Sequence, residues 1–297
     1  MHQSDSDHYN KRQSNKMNII YKLVIGLTIT VSINNNVYGQ LEKIMTYNIR
    51  YDNPNDSINK WDNRKQDVAH LITYYKPEVL GIQEGLVHQL NDLDDKLPEY
   101  SRIGVGRDDG SEKGEFTAIY FNHNELSLIK ESTFWLSQTP DAISVGWDAS
   151  MERICTYGLF ENKSTKEKIL VFNTHYDHVG EIARVKSSEL ILKKIEEINK
   201  DDYPVILMGD FNAEPDSKPV KILTEAFKDV AETVSNGIYG PTGTFTGFEE
   251  NTRATRRIDY IFVKNLDVFT CRHIDDKRMD NNYISDHLPV LIEVEQR

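Results

Sequence analysis

The chain of 297 residues is 38% hydrophobic and 28% charged, enough apolar material for one large core or two small domains and unlike a disordered or fibrous chain. Its formal net charge of −12 disfavours tight binding to long duplex nucleic acid, because an acidic surface repels a polyanion unless a basic patch or a bound cation intervenes. The two cysteines, Cys155 and Cys271, lie in apolar, strand-like stretches with no Cys-x-x-Cys pair, which excludes a thiolate zinc site and favours two buried thiols.

In chain order, a polar stretch (1–16) precedes "MNIIYKLVIGLTITVSINNNVYGQ" (17–40). A lysine, a short apolar run and small residues at the end form the pattern of a secretory signal peptide. The run is shorter than the roughly 20 residues of a membrane span. No cysteine follows it, so no lipid anchor is expected. The predicted division is 1–39 as extension and signal peptide, ending near Gly39, and 40–297 as one domain, exported to the periplasm or the medium. A monomer without a stable membrane anchor is expected.

From residue 42 onward, short apolar, β-branched runs recur at 42–49, 78–84, 116–121, 153–160, 168–175, 204–210, 257–263, 267–274 and 288–295, each of ordinary strand length. Helical periodicity appears at 63–76 (Val68, Leu71, Ile72, Tyr75), 180–200 (Ile191, Ile195, Ile198) and 217–228 (Val220, Leu223, Phe227). Many strands with few helices predict sheets packed on each other with helices outside. Asn48, Glu84, His175 and Asp210 each close an apolar run. If those strands share a direction, four reactive side chains gather at one edge of the core, where α/β proteins place their sites.

Each stretch alone has a bland reading. Glu84 in "GIQEG" can be a salt-bridged strand end, but beside other carboxylates it becomes a ligand for Mg²⁺, or Mn²⁺ in its place. "NTHYDHVG" (173–180) holds a His-x-Asp-His run like that of zinc-dependent metallo-β-lactamase-type hydrolases, except that Asn173 stands where a further histidine is needed. His175 can instead donate to a phosphoryl oxygen. In "SDHLPV" (285–290), Asp286 and His287 are neighbours that point opposite ways on an extended segment, so neither serves the other. Asp259, a carboxylate inside the amphipathic strand "RIDYIFV", is the natural partner to fix the His287 tautomer. In "MGDFNAEPDS" (208–217), a calcium loop starting at Asp210 fails, because Pro215 and Lys221 replace the required glycine and glutamate.

Together "TYNIRYDN", "GIQEG", "NTHYDHVG", "GDFNAEPDS", "RIDYIFV" and "SDHLPV" resemble, in order, the endonuclease/exonuclease/phosphatase superfamily of deoxyribonuclease-I-like fold. The resemblance spans 41–297. "WDNRK", "FWLSQTPD" and "GWD" look closest to its exported bacterial, deadenylase-like branch. It implies a four-layer αββα sandwich, with two mixed sheets face to face, and metal-dependent hydrolysis of a phosphodiester or phosphomonoester by in-line attack of water. By the same resemblance Glu84 is the principal Mg²⁺ ligand, with Asn48 and Asp286 nearby. Asp210 handles the attacking water, Asn212 and His175 hold phosphoryl oxygens, and His287, supported by Asp259, stabilises the transition state. Arg50 replaces an acidic metal ligand of the apurinic endonucleases and supplies positive charge for a phosphate. Arg50, Arg64, Trp147, Arg153, Asp177, His178 and Arg184 are candidate substrate contacts. The expected substrate is a small molecule, a nucleotide or a lipid head group. The rivals are a zinc hydrolase built on the His-x-Asp-His run and a catalytically inactive binding module.

Overall fold

The computed structural model describes residues 42–235, 237–249 and 253–295; the expected leader lies outside them. In chain order its strands are β1 (Glu42–Asn48), β2 (Val79–Gly85), β3 (Tyr100–Ile103), β4 (Phe116–Asn122), β5 (Leu126–Trp135), β6 (Ile154–Asn162), β7 (Lys168–His175), β8 (Val205–Asp210), β9 (Lys228–Asp229), β10 (Ile238–Tyr239), β11 (Asp259–Lys264), β12 (Asp267–His273) and β13 (Val290–Glu295). The main helices are α1 (Trp61–Tyr75), α2 (Val87–Lys96), α3 (Glu181–Ile198) and α4 (Lys218–Thr224).

The strands form two mixed sheets, ordered β10-β12-β13-β1-β2-β4-β3 and β5-β6-β7-β8-β11-β9. Parallel pairs lie at the centre of each, β1 with β2 and β7 with β8. Side-chain alternation then sorts residues into layers. Ile44, Val79, Ile119, Val171, Ile206, Met208 and Ile261 fill the space between the sheets. The other faces of β1 and β2 present Met45, Tyr47, Leu80 and Ile82 to Val68 and Ile72 of α1 and Leu90 of α2. The outer faces of β7, β8 and β11 present Phe172, Leu207 and Phe262 to Ile191 of α3 and Leu223 of α4. The result is the four-layer αββα sandwich expected.

All the apolar runs form strands within two residues of their predicted bounds. The helix expected over 217–228 stops at Thr224, and the chain turns before β9. Cys155 and Cys271 are buried free thiols in different cores, as expected.

Candidate active site

The floor of the site is a row across the second sheet. His175 pairs in register with Asp210 between β7 and β8, and Asp210 with Asp259 between β8 and β11. All three fall on the inward phase of their strands. Gly209 has φ +145°, and a Cβ there would sit 2.0 Å from the Thr174 carbonyl oxygen. The glycine before Asp210 is therefore a requirement of the close approach of β8 to β7.

From the first sheet come Asn48 and Glu84. Simple alternation along β2 would send Glu84 outward with Leu80 and Ile82. Instead the β2–β4 register shifts between Ile82 and Gly85, and Glu84 takes φ 63°. This bulge turns its carboxylate toward the other sheet. Asn173 Nδ2 donates to Ile82 O (2.9 Å) and Ala118 O (2.8 Å), carbonyls beside the bulge. The asparagine that spoils the zinc motif is thus a staple between the sheets, directly below the site.

Asn48 Nδ2 donates to Glu84 Oε1 and to Asp210 Oδ2, both at 3.0 Å, and so ties the two sheets' carboxylates together. Its side-chain oxygen Oδ1 accepts from Arg50 N–H at 3.0 Å. His287 Nδ1 lies 2.9 Å from Asp259 Oδ2, while Nε2 faces Asp210 Oδ2 at 3.7 Å. Burial opposes charge on His287, but Asp259 and Asp210 outweigh it and hold its pKa well above the ordinary value. His175 behaves oppositely: burial, with Arg153 and Arg107 nearby, lowers its pKa well below the usual range and keeps it neutral. Burial, against the pull of His287, pushes Asp210 up to about 7. Asp210 Oδ1 accepts from Asn212 N–H (2.9 Å), and Asn212, at φ 46°, is pinned through Nδ2 to Tyr176 O (3.0 Å).

Asp286 and His287 both border one cavity, because residues 284–286 bend and the segment is not extended as the sequence suggested. Their pairing is still as expected, His287 with Asp259. Arg50 is forked onto Asp56 (3.0 and 3.3 Å) and places Nη1 3.7 Å from Asp286 and 3.9 Å from Glu84. The cavity has a volume of about 590 Å³ and is lined by Arg50, Glu84, Arg153, His175, His178, Asp210, Asn212, Asp286 and His287 among the predicted residues.

Other predicted contacts have different parts. Asp177 is buried and does not line the cavity; it organises the loop below through bonds to Ser150, Arg153, Val179 and Gly180. Arg184 Nη1 donates to Asp177 O. Arg64 is buried and spends its guanidinium on the carbonyls of Ile49, Arg50, Asn59 and Ile284. Trp147 also lies off the cavity. Sequence reasoning missed Tyr51, Arg107, Glu115, Met151, Phe245, Arg256 and Ile258, which complete the lining. Glu115 closes the loop "GRDDGSEKGE", whose paired basic and acidic residues between glycines were the available signal.

One donor atom from each of Glu84, Asp210 and His287 lies within 4.8 Å of the others. Burial and Glu84 also raise the pKa of Asp286 against the pull of His287. Buried carboxylates such as Asp210 and Asp286, both raised in pKa by burial and by Glu84, fit a hard divalent cation, which would relieve the repulsion through oxygen ligands. The His-x-Asp-His run assembles no such site: Arg153 Nη2 meets His178 Nδ1 at 2.9 Å, and Asp177 is consumed by its loop bonds.

Carboxylates suited to a hard cation, set beside fixed donors for an oxyanion, define a hydrolase of phosphoric esters. The chain belongs to the endonuclease/exonuclease/phosphatase family, whose model matches residues 45–287. It is 35% identical to a family protein of solved structure from Bacteroides thetaiotaomicron, with TM-score 0.83 over 87% of this chain and 99% of that one. A mannosyl-6-phosphatase from the same organism is 36% identical, with TM-score 0.82 over 85% of this chain and 99% of that one. An uncharacterised protein of Acanthamoeba polyphaga mimivirus is 28% identical over 255 residues, 80% of this chain and 92% of its own length.

Proposed function

We propose that this chain is an exported, Mg²⁺-dependent phosphomonoesterase acting on small phosphorylated molecules. The observation that carries the reading is the cavity of about 590 Å³, with His175, Asn212 and His287 at its floor and a polar wall beside them. That volume suits one small ligand. Similarity to the mannosyl-6-phosphatase supports a monoester, and the leader-like residues 17–40 support export.

Glu84, with Asp286, would hold the cation. When bound, it supplies Lewis-acid neutralisation of the phosphoryl charge. Asp210, held near neutrality in pKa, accepts the proton of the attacking water. The protonated His287, fixed by Asp259, donates from Nε2 to the oxygen on which charge develops. Neutral His175 and the Asn212 amide orient the remaining phosphoryl oxygens, and Arg50 adds positive charge at the rim.

Phosphate release from small monoesters and cleavage of oligonucleotides, each with Mg²⁺ or EDTA, test the reading. Glu84→Ala, Asp210→Asn and His287→Ala are each expected to cut monoester turnover by about 10²-fold or more. Unchanged turnover in all three, or preferred cleavage of oligonucleotides, would sink it.

A further inference from the structure

One wall of the cavity uses charge in a way that phosphate binding does not require. Glu115 accepts a two-pronged bond from Arg107 (2.7 and 2.9 Å), and its Oε2 lies 3.6 Å from His175 Nδ1. A carboxylate one side chain away from the phosphate-directed His175 offers acceptors, where a second phosphate would need donors. Each of its oxygens keeps a lone pair free for a hydroxyl proton.

His178 lines the same cavity. Arg153 is 4% exposed and donates from Nε to Asp177 Oδ1 (3.3 Å) and from Nη2 to His178 Nδ1 (2.9 Å). A guanidinium has no acceptor, so Nδ1 presents its lone pair and the ring proton sits on Nε2. The exposed edge of His178 therefore offers a fixed N–H donor. Within one cavity, an acceptor fixed by one arginine and a donor fixed by another complement an alcohol rich in hydroxyls, which both donate and accept.

The aromatic rings of the cavity are already engaged. Arg50 covers Tyr51 at 4.6 Å and Arg256 covers Phe245 at 5.4 Å, so a nucleobase finds those faces taken.

We propose that Glu115 and His178 form a leaving-group subsite selecting phosphomonoesters whose alcohol carries further hydroxyls, the chemistry of a sugar phosphate. The proposal rests on the phosphomonoesterase reading. Its test compares kcat/KM for a hexose 6-phosphate with that for p-nitrophenyl phosphate, whose leaving group carries no further hydroxyl. In Glu115→Ala and His178→Ala the ratio of the two is expected to fall roughly tenfold or more, since each loses a hydrogen bond to the sugar. His178→Gln, which keeps an N–H donor, should restore most of that ratio. A ratio within about twofold of wild type in both Glu115→Ala and His178→Ala overturns the subsite alone. A wild-type enzyme that hydrolyses neither monoester but cleaves bis(p-nitrophenyl) phosphate overturns the monoesterase reading and the subsite with it.

Discussion

Asp177, 1% exposed beneath the cavity wall, accepts from Ser150 N, Ser150 Oγ and Arg153 Nε through Oδ1, and from Val179 N and Gly180 N through Oδ2. Burial alone would raise its pKa, but these donors, the Gly180 N–H foremost, hold it down to about 2. The folded value lies below the ordinary value of about 3.9. The charge therefore contributes stability that is fully present above the unfolded pKa and is lost as pH falls through the folded one. Asp177→Asn keeps the shape and removes the charge, at a cost of about 2 kcal/mol in charge-assisted hydrogen bonds. Thermal melts at pH 7 should show Tm lower by roughly 5 °C. The gap from wild type should shrink by roughly half at pH 3. A gap that is constant between the two pH values would contradict this account.

At the scale of elements, the bulge in β2 is the device that aims Glu84, and Asn173 of β7 is what the bulge leans on. Asn173→Ala leaves two buried carbonyls without that donor, Ile82 O and Ala118 O. It should cost about 3 kcal/mol, read as a lower midpoint in urea at an unchanged slope. Catalysis should fall further than in an equally destabilised variant of the outer core, Leu223→Ala, because Glu84 loses its aim. Equal activity in the two variants would show that the staple serves stability alone.

The same bulge marks where the sequence stops being informative. Apolar runs marked the strands that are buried on both faces, because such burial leaves few other readings for "KILVFNTH" or "PVILMGD". The β5 strand was not legible: it has charged and polar residues through its middle and only Leu126, Phe134 and Trp135 buried. Helix α2 was equally faint, with Leu90 and Leu93 as its buried apolar residues. The motif residues could be found from type and order, but the orientation of Glu84 depends on a local register slip that no periodicity encodes. Arg107 and Glu115 were hidden because a glycine-rich loop brings them back to the site only after folding.

For the whole molecule, a net charge of −12 means that folding gathers like charge, most expensively where Glu84, Asp210, Asp286 and Glu115 line one cavity. Their repulsion is visible in Glu115, where burial and Glu84 push the carboxyl up to about 7 against the pull of Arg107. A site tuned for a cation should thus destabilise the cation-free protein and be stabilised by linkage when the cation binds. At a hundredfold excess over Kd, Mg²⁺ should add about 2.7 kcal/mol. Calorimetry should then give a Tm roughly 5–10 °C higher in Mg²⁺ than in EDTA. Sodium chloride of matched ionic strength should give only a small part of the shift, because screening acts weakly on buried charge. In Glu84→Gln the two effects separate. The variant should melt no lower than wild type in EDTA, having shed one buried like charge, and should lose most of its response to Mg²⁺. A response to Mg²⁺ as large as that of wild type would place the cation elsewhere on this acidic surface.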